Sequence, residues 1–126
     1  MKSSEHYRRL TNSLCAFCLV FFTLAAQANT SRIFVLSADE WARPRSGAVI
    51  AEFQAVRAAV RYWDKVDNAV IIVHYPGEDS GELWAAELRD WLISLGVPSD
   101  YIRLVAGTQA ADEIRLLVGD RNELEQ

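Results

Sequence analysis

The stretch Ala69-Val70-Ile71-Ile72-Val73 decides the fold. Five apolar residues in succession, four of them β-branched and none alternating with polar ones, describe a central strand covered on both faces. The run opens into His74-Tyr75-Pro76-Gly77-Glu78, a turn-rich loop. On its N-terminal side, Val49, Phe53, Val56, Val60 and Trp63 recur at spacings of 4, 3, 4 and 3, which predicts one amphipathic helix over 48–66. Asp67-Asn68 ends it. Further upstream, Ser37 to Gly47 reads as a loop broken by Pro44, and Ile33-Phe34-Val35-Leu36 as a short buried strand. On the C-terminal side, Asp79 and Glu82 form a capping box for a helix whose stripe is Trp84, Leu88, Trp91 and Leu95. Gly96 stops that helix where a left-handed residue is needed, and Pro98 bars its continuation. Tyr101 to Ala106 is a third strand, Gly107 to Asp112 a loop, and Ile114 to Val118 a fourth strand, the hairpin partner of the third. The predicted order is β-α-β-α-β-β. Two helices packed on a mixed sheet of about four strands make an α/β fold of the α+β two-layer sandwich type.

The 126 residues suffice for one such domain, and an apolar fraction of 51% with 24% charged residues is ordinary for a globular chain. The N-terminus has a different character. Lys2, Arg8 and Arg9 precede an apolar stretch from Leu14 to Ala26, and Ala26-Gln27-Ala28 offers small residues at −3 and −1. Residues 1–28 therefore read as a Sec-type signal peptide cut after Ala28, with a periplasmic product. The apolar run, about thirteen residues, is short of the roughly 20 that span a bilayer, so no stable membrane span is expected after cleavage. Cleavage lowers Lys and Arg from 13 to 10 and Asp and Glu from 17 to 16, moving the net charge from −4 to −6. It also removes Cys15 and Cys18, leaving no thiol for a disulfide, a metal or nucleophilic attack. An acidic domain repels phosphate backbones, so nucleic acid is not an expected partner. Residues 29–118 form the domain, and the polar, acidic segment 119–126 is expected to fray.

From Ser80 to Val97 the chain reads S-G-E-L-W-A-A-E-L-R-D-W-L-I-S-L-G-V. This resembles the second helix of the OmpA-like C-terminal domain, which binds peptidoglycan in the envelope of Gram-negative bacteria. Ala85, Leu88, Trp91, Leu92, Gly96 and Val97 occupy scaffold positions of that family, and Pro98, Ile102 and Gly107 extend the likeness. The ligand positions differ. The family arginine that pairs with a stem-peptide carboxylate falls on Trp84, which has no guanidinium fork to offer. The Thr-Asp pair after the second strand is absent, and His74 is followed by Tyr75-Pro76-Gly77. Scaffold likeness without the site does not carry the function with it.

If the first two strands are parallel, the loops after them share one end of the sheet, where α/β folds gather ligands. Arg43 and Arg45 would then hold an anionic group, with His74 donating to it and Tyr75 beside it; otherwise the two arginines are solvated charges balancing Asp39 and Glu40. Trp41, between Glu40 and Arg43, is either an exposed binding anchor or a plug over the end of the sheet. Trp63, Trp84 and Trp91 lie on apolar stripes and read as core. His74 with Glu78, Asp79 and Ser80 would sketch a hydrolase triad, but Asp79 and Ser80 are better used as caps and there is no G-x-S-x-G elbow. One histidine without a ligand cluster makes no metal site. The expectation is a non-catalytic, cofactor-free binding module of the envelope, taking an envelope protein partner or, with an altered site, peptidoglycan.

Overall fold

The β-branched run forms the strand it predicts, and the other elements are placed by pairing with it. The computed structural model describes residues 31–126; the expected leader, its expected cleavage point after Ala28 and both cysteines lie outside the described residues. Strands β1 (Arg32–Ser37), β2 (Ala69–Tyr75), β3 (Ile102–Ala106) and β4 (Glu113–Asp120) make one sheet in the order β1-β4-β2-β3. β2 and β3 are parallel, whereas β4 runs antiparallel to both β1 and β2. β1, β2 and β3 therefore all finish at one end of the sheet. The helices are α1 (Ala38–Trp41), α2 (Gly47–Glu52), α3 (Gln54–Trp63), α4 (Asp79–Ser94) and α5 (Arg121–Leu124), with a 3-10 turn over Ser99–Tyr101. α3 and α4 pack on the same face of the sheet, giving the expected two-layer α+β fold.

Between the layers lies a wholly apolar core. Leu36, Ile71, Val73, Ile114, Leu116 and Val118 point from the sheet into Val56, Ala59, Leu88 and Leu92 of the helices, and all are fully buried. Each large aliphatic side chain contributes about 1.5–3 kcal/mol by leaving water. The end of α4 is a Schellman motif: Val97 N–H donates to the Leu92 carbonyl and Gly96 N–H to that of Ile93, with Gly96 at φ 104°. The predicted stop is therefore in place. At the other end of α4, a Cβ on Gly81 would stand 2.1 Å from the Pro76 carbonyl oxygen, so the turn out of β2 closes only over glycine.

Several expectations need correcting. The helix expected over 48–66 is two, because Phe53 (ψ 118°) leaves the helical region while its ring stays buried. The bend lets α2 pass beside Trp91 of α4 while α3 follows the sheet, which one straight rod cannot do. The capping box on Asp79 is not formed; Glu78 holds the N-cap position and makes no side-chain cap bond. Asp79 lies instead in the first turn, where its charge meets the positive end of the helix dipole. β3 and β4 are not a hairpin. The largely exposed β3 takes the sheet edge, and the longer, more buried β4 takes the middle, where both its edges are paired.

Nor does the segment 119–126 fray throughout: β4 runs to Asp120, which caps α5 through its carboxylate to Asn122 N–H. Arg121 N–H donates to the Asn68 carbonyl, and α5 packs on β4 and β2. That turn sits on the face opposite α3 and α4, which is how Val70 becomes fully buried although the long helices cover the other side. Among the described residues no helix is long and apolar enough to cross a membrane.

Candidate functional site

The sequence-based candidates Trp41, Arg43, Arg45, His74 and Tyr75 do gather at the end of the sheet where β1 and β2 finish, but they face three different ways. Trp41 is not an exposed anchor. Ser37 accepts from Glu40 N–H and starts α1, which turns the indole inward to stack on Trp84 at 5.9 Å and 29°. Trp41 is only 8% exposed, so it is the plug over the end of the core. Polar neighbours hid this, because one buried aromatic in a four-residue helix leaves no periodicity to read.

Arg45 is committed to the same plug. Its guanidinium lies 4.8 Å above the Trp41 ring and donates to the Trp41 carbonyl at 2.6 Å. The remaining fork grips Glu87 of α4 at 2.7 and 3.3 Å. An arginine with these partners is a clamp joining α4 to the α1–α2 loop and has little left for an anion. Arg43 is exposed, and its side chain has no partner among the described residues.

His74 and Tyr75 lie in β2 rather than in a loop, and consecutive strand residues point to opposite faces. Tyr75 packs on the core, and its carbonyl accepts from both Gly107 and Thr108 N–H, tying down the β3–β4 loop. His74 faces the other way, onto the side of the sheet that α3 and α4 leave open. The supposed triad is thereby split, since Asp79 and Ser80 belong to a helix on the covered side.

On the open side the pairing register sets out two rows. One runs Val35, Arg115, His74, Val105; the next runs Ile33, Leu117, Ile72, Arg103. His74 and Arg115 are direct cross-strand neighbours, a spacing at which side chains interact. Arg115 Nε donates to Glu113 at 2.7 Å, leaving the outer guanidinium nitrogens available. Beside this pair a cavity of about 320 Å³ is walled by Ile33 and Leu117 and rimmed by Thr108 and Gln109. The Thr108 hydroxyl is turned to the Ala110 carbonyl. Around the cavity the apolar side chains are strongly exposed: Ile33 by 60%, Val35 by 46% and Val105 by 39%. Such a surface can hold an acceptor group between apolar contacts. Among the described residues no group of three or more His, Cys, Asp or Glu could hold a metal ion.

Sequence reasoning found His74 and missed Arg115, Thr108, Gln109, Ile33 and Leu117. The alternation in β4, with Ile114, Leu116 and Val118 inward, implies that Arg115 and Leu117 point outward. Only the strand order shows that they flank His74. No family model matches the chain, and no curated protein is significantly similar to it.

Proposed function

We propose that this protein is an exported, non-catalytic interaction module of the cell envelope, and that its partner docks on the open face of the sheet. The observation that carries the reading is the exposure of Ile33, Val35 and Val105 around the polar pair His74 and Arg115. Clustered exposed apolar residues rimmed by polar ones mark interaction surfaces. The partner that fits is a protein segment with apolar side chains for Ile33, Val35 and Val105 and an acceptor group for His74 and the outer Arg115 nitrogens. The reading of residues 1–28 as a signal peptide supports a periplasmic encounter.

A photo-crosslinking residue replacing Val105 in the exported protein is expected to capture one envelope protein. The same residue at Asp90, exposed on the far side in α4, captures none. Adducts at Asp90 and not at Val105 would overturn the reading.

A second reading draws on the His74–Arg115 pair beside its cavity: retained but altered peptidoglycan binding, with a stem-peptide carboxylate as the acceptor group. It fits the OmpA-like resemblance of residues 80–97. Co-sedimentation with isolated sacculi separates the two. Pelleting that soluble muropeptides compete away, and that Arg115→Ala abolishes, establishes the second reading and displaces the first. A folded protein that stays in the supernatant leaves the protein partner.

A further inference from the structure

β1 is an edge strand, and among the described residues no strand pairs with its outer side. The middle of that edge is not blunted: it carries neither proline nor charge, and Ile33, Phe34 and Val35 occupy it. The flank beside it is polarised. At the start of β1 lie Arg32, Arg61 and Lys65, around a groove of about 160 Å³. At its end Glu40 and Gln54 line a second groove, of about 380 Å³. Ala58, a small residue, borders both grooves at the midpoint. Arg32 stacks over Tyr62 at 4.7 Å, while the side chains of Glu40, Arg61 and Lys65 have no partner among the described residues.

An edge that is basic at one end, acidic at the other and apolar between is complementary to itself when turned by a half rotation. We propose that this edge is a homodimer interface, β1 of one copy pairing antiparallel with β1 of the second to give a continuous eight-stranded sheet. Directly opposed residues of an antiparallel pair share a face, so the twofold axis must lie midway between one residue and its own copy in the mate. With the axis at Phe34, Ile33 of one copy lies opposite Val35 of the other, joining the two open faces into one. The same rotation carries Glu40 of each copy toward Arg61 and Lys65 of its mate, and sets Ala58 against Ala58, where the small side chains let the two α3 helices approach. The interface is isologous, as a closed dimer requires. A stable interface buries about 1,200–2,000 Å² in total, so the α3 flank must contribute beside the strand. The occupant is a second copy because the charge pattern complements itself. The proposal rests on the backbone edge of β1 and the charges beside α3, which the open-face reading does not use, although Ile33 and Val35 border both surfaces.

Sedimentation of the purified protein across a wide concentration range tests it. The native chain is expected to dimerise, and added salt to weaken the dimer. Glu40→Arg alone, and Arg61→Glu with Lys65→Glu, are each expected to weaken association by at least about tenfold, through like charges facing each other. Mixing the two variants restores a heterodimer, because every facing pair is then opposite in sign. These side chains are on the surface, so circular dichroism and melting should match the native protein, and Val105→Asp on the open face should leave the dimer intact. A native chain that stays monomeric throughout overturns the proposal. So does a dimer indifferent to both charge reversals, which would place the contact elsewhere.

Discussion

The two faces of this sheet are built from the same strands and differ in exposure. Toward α3 and α4, Leu36, Ile71, Val73, Ile114 and Leu116 are sealed from water in a core without a charged residue. On the other side, one residue further along each strand, Ile33, Val35, His74, Val105 and Arg115 are left to solvent. A strand alternates its side chains whatever its role, so this division reflects what covers each face and not strand propensity. The covered face holds the domain together. Val70 on the other side is sealed under α5, but around Ile33, Val35 and Val105 the open face carries no helix among the described residues and is free to be specified by a partner.

Substitutions can break that contrast. The largest effect is expected for Trp41→Ala, which removes the plug stacked on Trp84 and should cost about 3–5 kcal/mol in chemical denaturation. A loss near zero would make Trp41 a surface residue after all. Gly81→Ala must displace the Pro76 carbonyl or the start of α4, and should cost about 1–3 kcal/mol by the same measurement. Glu87→Gln weakens the half-exposed clamp with Arg45 and should cost only about 0.5 kcal/mol, since a screened pair contributes little. Smallest of all, Val105→Asp on the open face should change stability within about 0.5 kcal/mol while abolishing capture of the partner by a photo-crosslinking residue placed at Ile33. A large stability loss there would mean that the open face belongs to the fold.

What could be read from the chain itself follows the range of the interactions involved. The run 69–73 and the stop at Gly96 depend on residues within a turn or two of each other, and both are where the pattern puts them. The strand order depends on pairing between residues far apart, and adjacency in sequence misassigned β4 as a partner of β3. The site suffered from the same blindness. His74 could be singled out as the one histidine among the described residues, but its neighbour Arg115 is forty-one positions away and meets it only through the β2–β4 register. Arg43 and Arg45 looked equivalent, yet a Glu87 forty-two residues on claims one and leaves the other in water.

The central placement of β4 also orders events in time. β1 and β2 lie on either side of it and share no ladder of their own, so neither edge of the gap closes until residues 113–120 have been synthesised. A nascent chain holding only the first three strands has a β2–α4–β3 unit and a stray β1 with no partner. Completion of the sheet is thus deferred until nearly the whole domain has emerged. Such delay would suit the proposed export, in which a polypeptide passes a narrow channel before it takes shape.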